Sequence, residues 1–396
     1  IIDAVDAVGG RSGWQRPRAE FYIGDTRLVT PAFGAGYPMV IPTMVMHLQP
    51  PWNPLAVIDN RIEAIFLHEL GHNQNHPTLT YGEVAEPCHE IEAESVIHIL
   101  ALAVYHSVYG DSLDTAFTKA VSGQPLSVEQ ALFDWIITAD FRRGDPIAYD
   151  ESMAAGDPGT TADDILEDKD QIKYQARGLG NRADIARLFG IGGLGAVNAP
   201  FYQPGVPRAG TACPSRPHIV SRDEYIRAAS AALGVNLAPL FHLWGIQPSA
   251  ALREQLAQEF PPSEAIRSLI ISYRENVAPR SYEDYLSWHN QIFPLISYQR
   301  PRYEFYLSDF DANYVADIDA QFGAILETYF GALSTNYSYI YWNPAEPGWG
   351  LNLQHQGDLL YGTWYSYADD GQVMFLTVEA NRQADGSYAG PIYRVA

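Results

Sequence analysis

The sequence has few cysteines, few basic residues and no long apolar run, and each shortage excludes a class of protein. Lysine and arginine together number 25 against 47 aspartates and glutamates, so the formal charge of the 396-residue chain is −22. A chain this acidic does not release counterions from a polyanion, which argues against nucleic acid or an anionic membrane surface as a partner. No apolar run approaches the roughly 20 residues that span a bilayer. We therefore expect no nucleic-acid partner and no membrane span.

Only two cysteines occur, Cys88 and Cys213. Neither belongs to a CxxC pair of the redox or zinc-ribbon kind, and the counts leave one disulfide or two free thiols equally open. The 25 tyrosines and 8 tryptophans, together with the acidic balance, favour an exported protein. At this length the chain is expected to form two or three folded domains.

The distribution of residue types along the chain predicts an α+β protein. The first fifty residues are rich in Gly, Pro and β-forming residues, which indicates short strands joined by turns. Helical periodicity dominates from Asp59 to about Leu333, with one helix predicted from Glu90 to Tyr109. It is interrupted by a polar loop at residues 150–165 and by a connecting passage rich in Gly and Pro from Gly190 to Pro217. From Tyr337 to Ala396 aromatic and polar residues alternate, with Asp370-Gly371 and Asp385-Gly386 as hairpin turns. The predicted domains are a first domain, a helical extension and a small all-β domain at residues 1–260, 261–335 and 336–396.

The most informative segment is the run His68-Glu69-Leu70-Gly71-His72. The stretch from Asp59 onwards has a capping residue and one apolar stripe, and no proline follows until Pro77, so we predict a helix here. One turn separates His68 and His72 on the same helical face, where both imidazoles can bind one zinc ion. Glu69 lies beside them, where it can take a proton from a water that zinc activates. Gly71 permits another segment to approach this helix closely.

A catalytic zinc usually has three protein ligands and one open position. His76 is an unfavourable third ligand, because Pro77 argues against a helix that continues through it. A glutamate from a following helix is the gluzincin arrangement, in which a polar side chain one turn later orients a metal ligand. The alternative is an incidental histidine pair on a structural helix, since HExxH is a short pattern. The acidic residues that follow within reach are Glu83, Glu86, Glu90, Glu92 and Glu94.

The run HELGHN, followed by a short loop and an acidic helix, resembles the enhancin-like zinc peptidases, which include bacterial mucin-cleaving enzymes. In that family the second helix carries a glutamate, three further residues, and then a polar side chain that is commonly Asn. The segment Glu94-Ser95-Val96-Ile97-His98 is similar to that pattern, with His98 at the Asn position. The resemblance implies a mainly helical gluzincin-type domain with Glu94 as the third ligand and Glu92 as the alternative. It extends more weakly through Tyr174–Gly190 and Tyr225–Ile246, and covers roughly residues 20–255.

The resemblance implies a secreted bacterial zinc endopeptidase that hydrolyses peptide bonds of glycoproteins, above all O-glycosylated ones of the mucin type. In that hypothesis Zn²⁺ is the cofactor, held by His68, His72 and Glu94, and Glu69 is the general base. One alternative is a non-catalytic glycan- or protein-binding protein on a peptidase scaffold, and another is a zinc peptidase of unglycosylated proteins. The donor that stabilises the oxyanion stays open among Tyr81, Tyr174 and His218.

The C-terminal domain resembles a repeat found at the ends of exported proteobacterial proteins. The residues that carry this resemblance are Tyr341–Leu353, His355-Gln356-Gly357 and Gly362–Tyr365. One hypothesis is that its aromatic residues form the core of a domain with few aliphatic residues, and this is the favoured hypothesis. The alternative is that they lie exposed on the sheet and bind a glycan or a protein.

Overall fold

The structure of the protein is a computed structural model. It describes the backbone but not the side chains at residues 2, 5, 22–25, 39–42, 93–94, 139, 175, 201 and 312. Contacts between residues divide the chain into two compact units, Ile1–Gly331 and Ala332–Ala396. The described residues are 2–9, 22–25, 39–42, 64, 67–68, 70–71, 93–121, 125–146, 175–201, 222–292, 294–295, 312–331, 337–368, 370–383 and 387–395.

The first unit is mainly helical over its described residues. Two short parallel strands near its beginning are β1 (Tyr22–Asp25) and β2 (Met39–Pro42). Its helices are α1 (Ile2–Val8), α2 (Ala93–Val96), α3 (Ile99–Ser107), α4 (Leu113–Ala120), α5 (Val128–Ile136), α6 (Ala139–Arg143), α7 (Gln175–Asn198), α8 (Arg222–Leu233), α9 (Ala238–Leu243), α10 (Ala250–Glu259), α11 (Glu264–Asn276), α12 (Tyr282–Ile292) and α13 (Ala312–Phe330), with a 3₁₀ turn at Ala199–Phe201.

Helix α1 stands where the sequence predicted short strands. It packs against α3 and α7. Asn198 of α7 donates from Nδ2 to the Val8 carbonyl at 2.8 Å, which satisfies one of the carbonyls left open at the C-terminal end of α1. Gly195 leaves room for the Ala7 carbonyl. These tertiary contacts stabilise a helix in a segment whose β-branched residues favour strands. The strand prediction is confirmed further on, at β1 and β2.

Serine side chains fix the N-terminal ends of α4, α5, α10 and α11. Ser112, Ser127, Ser249 and Ser263 each accept a hydrogen bond from the backbone N–H three residues later. At α5 the arrangement is a full capping box, because the Gln130 side chain accepts in turn from the Ser127 N–H at 2.9 Å. Each such cap satisfies helix donors that would otherwise have no protein partner, so these four starting points are encoded locally.

Helix α7 forms the centre of the first unit. Residues 176–186 are all buried, and α7 contacts α1, α2, α3, α5 and α8. Close packing depends on Gly180, since a Cβ there would overlap the Trp244 ring. Gly190 has φ 75° and ψ 171°, so it divides α7 into two helical arms. The sequence predicted a connecting passage from Gly190 onwards, whereas the second arm runs to Asn198.

Helices α11 to α13, which the sequence analysis assigned to an extension, pack against earlier helices of the same unit. Helix α13 contacts α6, α9 and α11. The Tyr314 hydroxyl donates to the Ile137 carbonyl. Arg274 of α11 donates two hydrogen bonds of 2.7 Å to the Asp319 carboxylate of α13. Those hydrogen bonds hold the pKa of Asp319 below its ordinary value.

The second unit is one antiparallel sheet over its described residues. Its strands are β3 (Tyr339–Tyr341), β4 (Gly350–Gln356), β5 (Leu359–Tyr367), β6 (Val373–Arg382), β7 (Tyr388–Ala389) and β8 (Ile392–Arg394). Strands β3 to β7 lie side by side in chain order, and β8 also pairs with β6. The predicted turn Asp370-Gly371 joins β5 to β6, with Gly371 at φ 78°. The predicted turn Asp385-Gly386 includes residues outside the described part.

A mainly helical first unit followed by an antiparallel sheet confirms the α+β class. In the part of the chain that the structure describes, no helix has both the length and the hydropathy needed to cross a bilayer.

Candidate metal centre

Two helical segments meet at the HELGH run. The described residues of the first segment are helical and buried: Ala64, Leu67, His68, Leu70 and Gly71. The second segment is formed by α2 and α3, which are separated by a turn at Ile97–His98 where the sequence predicted one continuous helix. In that turn His98 N–H donates to the Ser95 carbonyl and Leu100 N–H to the Ile97 carbonyl, both at 3.2 Å. Bonds between residues three apart are those of a tight 3₁₀ turn.

Gly71 lies at a close contact between the two segments. A Cβ at this position would lie 2.6 Å from the Ile97 Cβ and 3.0 Å from the Ile97 carbonyl oxygen. Real side chains do not tolerate such distances, so any residue other than glycine would push the segments apart. The prediction that Gly71 permits a close approach is therefore confirmed, and the approaching residue is Ile97.

His68 contacts a second imidazole across this interface. Its Nδ1 lies 3.3 Å from Nε2 of His98, and the two ring centroids are 4.9 Å apart. His98 is fully buried and His68 is 8% exposed, so the contact is sheltered from water. Because Nδ1 of His68 faces His98, a metal ion bound by this imidazole would be bound through Nε2.

Part of the predicted site lies outside the described residues. The backbone of Glu94 belongs to α2, one turn before His98. Within the described residues, no group of three or more His, Cys, Asp and Glu side chains could hold a metal ion. The donor chemistry that is described fits zinc, since a buried imidazole offers Nε2 while its other nitrogen is held. The predicted residues outside the described part are Glu69, His72, His76, Tyr81, Glu83, Glu86, Cys88, Glu90, Glu92, Tyr174, Cys213 and His218.

A buried carboxylate of α7 was not singled out from the sequence. Asp184 of α7 accepts hydrogen bonds from the Tyr273 hydroxyl at 2.5 Å and from Trp244 Nε1 at 2.8 Å. Burial raises the pKa of Asp184 to about 6, against the opposing effect of the nearby Arg187 guanidinium. The signal in the sequence was a pair of opposite charges, Asp184 and Arg187, three residues apart in a predicted helix.

Arg187 connects this carboxylate to the surface. Its guanidinium lies 3.5 Å from Asp184, 2.7 Å from Asp114 of α4 and 2.8 Å from Glu129 of α5. The Arg187 side chain also donates to the Tyr273 hydroxyl oxygen at 2.9 Å. One side chain of α7 therefore ties together α4, α5 and α11.

Comparisons of the chain with protein-family models, with curated proteins and with solved structures found no match. The resemblance to enhancin-like peptidases accordingly rests on the residues of the two helical segments and on their weaker continuation.

Proposed function

We propose that the protein is a zinc endopeptidase of the gluzincin type. The observation that carries the proposal is the contact of 3.3 Å between His68 Nδ1 and His98 Nε2. It joins the HELGH helix to the segment that bears Glu94, and the Gly71–Ile97 contact brings the same two segments together. A zinc site built from two neighbouring helices requires this kind of approach, with one imidazole nitrogen held by a buried partner.

His68, His72 and Glu94 would hold the metal, with Glu92 as the alternative to Glu94. For His68 to offer its Nε2 lone pair, its proton must sit on Nδ1, so Nδ1–H donates to Nε2 of His98. His98 is then neutral and carries its own proton on Nδ1. When bound, zinc supplies Lewis-acid polarisation of the scissile carbonyl and acidifies water.

Glu69 is the proposed general base. Its carboxylate accepts the proton of the attacking water and later passes that proton to the nitrogen of the leaving amine. His68 and His98 contribute orientation: the buried contact fixes the ring of His68 and so the place at which the metal is held.

The proposed substrates are glycoproteins outside the cell, with the mucin type as the first choice. Support for this class comes from the resemblance to enhancin-like peptidases. The charge of −22 favours substrates with few sialic acids, since two anionic surfaces repel one another at low ionic strength.

The test of this function is the variant Glu69→Gln. We expect the purified variant to contain as much zinc as the wild-type protein, because Glu69 is not a ligand. Hydrolysis should fall roughly 100- to 10,000-fold, the usual contribution of a general base. Zinc is measured by elemental analysis and cleavage with a mucin-type glycoprotein, with the exposed Glu254→Gln as the matched control. Wild-type turnover in Glu69→Gln would contradict the mechanism.

The same assays distinguish the remaining hypotheses about the third ligand, the substrate and the presence of catalytic activity. Loss of zinc in Glu94→Ala but not in Glu92→Ala would identify the third ligand, and the reverse result would move it to Glu92. Cleavage that persists after enzymatic removal of O-glycans would indicate a peptidase of unglycosylated proteins. A wild-type protein without zinc and without hydrolysis would indicate a non-catalytic binding protein.

A further inference from the structure

The strand register of the second unit sorts its aromatic residues onto two faces. Successive side chains of a strand point to opposite faces, and directly paired residues share a face. The aliphatic face contains Leu351, Leu353, Leu360, Trp364, Leu376 and Val378. The tyrosine face contains Tyr361, Tyr365, Tyr367, Phe375 and Tyr393.

The aliphatic face supplies the packing of the sheet. Leu360 and Ala380, paired across β5 and β6, are its most buried side chains. A Cβ on Gly362 would lie 2.6 Å from Val378 Cγ1 and 2.9 Å from Leu353 Cδ2, so these two side chains close over the glycine. On this face Trp364 is 39% exposed and Tyr341 is 38% exposed, so the aromatic residues of the described strands do not form the buried core that was expected.

The tyrosine face is exposed and carries neutral polar groups between its rings. Exposure is 38% for Tyr361, 42% for Tyr365 and 59% for Tyr367. Tyr365 and Phe375 form an edge-to-face pair with centroids 5.4 Å apart. The neutral polar side chains that share this face are Asn352, Gln354, Gln356, Thr363, Thr377 and Asn381.

Charge on this unit disfavours anionic partners. Among the described strand residues of the tyrosine face only Glu379 is charged, and it is acidic. Arg382 and Arg394 lie on the aliphatic face. Residues 332–396 contain six acidic residues against two arginines and no lysine. A polyanionic glycan, a nucleic acid or an anionic lipid surface would meet no cation on the tyrosine face as far as its strands are described.

We propose that the tyrosine face binds a neutral oligosaccharide. Its rings offer flat apolar surfaces to the C–H faces of sugars, while the amides and hydroxyls beside them hydrogen-bond sugar hydroxyls. The three tyrosines of β5 are separated by four and then two residues, about 14 Å and about 7 Å along the strand. That row suits a chain of sugar units. This inference does not depend on zinc or on peptidase activity.

The test is binding of the full chain, with chelator present, to an array that carries neutral glycans, sialylated and sulfated glycans, and unglycosylated carrier protein. We expect retention on a subset of the neutral glycans alone. Absence of binding to any neutral glycan, preference for acidic glycans, or equal binding to the bare carrier protein would each overturn the proposal, the last in favour of a protein partner.

Variants then locate the binding surface. Tyr361→Ala and Tyr367→Ala should each weaken binding to the retained glycan roughly twofold to tenfold. Tyr361→Phe keeps the ring and should retain most of the affinity, which guards against a variant that merely unfolds. The matched control is Tyr339→Ala, an exposed tyrosine paired with Leu353 on the aliphatic face. Weakening by Tyr339→Ala with none from Tyr361→Ala and Tyr367→Ala would place the site elsewhere.

Discussion

His68 and His98 bring two imidazoles together where the enhancin-like pattern commonly has one imidazole and one amide. An amide can turn either its oxygen or its NH₂ towards a neighbour, whereas a neutral imidazole offers one donor and one acceptor at fixed places. Nε2 of His98 can therefore accept a hydrogen bond from His68 only when the proton of the neutral His98 ring is on Nδ1. Under the proposed binding of zinc by Nε2 of His68, each ring of the pair would be held in a single tautomer at this buried position.

Replacing His98 by alanine should weaken zinc binding as well as folding. The change leaves Nδ1–H of His68 without this acceptor, and loss of such a partner typically costs roughly 10- to 100-fold in metal affinity. Affinity is measured by competition with a chromogenic chelator, and folding by thermal melting of the metal-free protein. His98→Gln places an oxygen near the former Nε2 and should restore much of the affinity. Equal zinc affinity in all three proteins would remove His98 from the site.

At the scale of helices, the close approach of the HELGH segment to the α2–α3 turn depends on the absence of one side chain. Gly71 has a packed partner in Ile97, whereas a Cβ added to Gly323 in the middle of α13 would meet no atom within 4 Å. Both glycines cost helix propensity relative to alanine. Comparing alanine substitutions at the two positions therefore separates the stability cost of the packing clash from the stability gain in helix propensity.

Gly71→Ala should destabilise the first unit by about 1–3 kcal/mol, the usual cost of overpacking, and should lower zinc affinity because the two segments separate. Gly323→Ala should stabilise the same unit by about 0.5–1 kcal/mol, since it adds helix propensity without a clash. Urea unfolding followed by the helical circular dichroism signal measures both. Equal effects of the two substitutions would show that the Gly71 contact carries no packing constraint.

At the scale of the whole molecule, the sequence was most informative where the structure is decided locally. Serine caps, the turn at Asp370-Gly371 and the alternation of β4 to β6 can all be read from neighbouring residues. Helix α1 could not, because its helical state depends on Asn198 and Gly195 far along the chain. The predicted end of α7, at Gly190, came too early because the second arm of this helix also depends on contacts with distant residues.

The candidate site also combines features that follow from neighbouring residues with features that depend on distant contacts. The HExxH spacing predicted the helix and the role of Gly71, since both follow from residues a few positions apart. The break between α2 and α3 at Ile97–His98 depends on contact with another helix, so periodicity alone predicted one continuous helix. Asp184 was missed because its partners Trp244 and Tyr273 lie 60 and 89 residues away.

Two buried groups give the folded protein opposing responses to pH. Burial raises the pKa of Asp184 from 3.8 to about 6, so its contribution to stability is present below pH 4 and is lost as the pH rises through 6. Burial, assisted by the Arg253 charge, lowers the pKa of His242 from 6.5 to about 4. Its contribution is present above pH 6.5 and is lost as the pH falls through 4. Between pH 4 and 6.5 the two effects partly cancel.

Substitution should separate these two effects. Relative to the wild type, Asp184→Asn should gain stability as the pH rises from about 4 to about 7, by roughly 3 kcal/mol for a pKa shift of about two units. Any cost from altered hydrogen bonds with Tyr273 and Trp244 is independent of pH and does not change this slope. Arg187 keeps Asp114 and Glu129 as partners. His242→Gln should show the opposite slope, losing stability relative to the wild type as the pH rises over the same range.

The measurement is urea unfolding of the full chain across this pH range, with zinc removed by a chelator. The helical circular dichroism signal reports the first unit, and subtraction of the wild-type curve cancels all other titrating groups. Asp319→Asn is the matched control: the hydrogen bonds from Arg274 lower the pKa of Asp319 below its ordinary value of 3.8, so its contribution to stability is lost only below that pH and the curve of this variant should run nearly parallel to that of the wild type across the measured range. If the curve of Asp184→Asn runs parallel to that of the wild type, Asp184 is ionised in the fold at all these pH values and the Tyr273–Asp184–Arg187 network carries no proton.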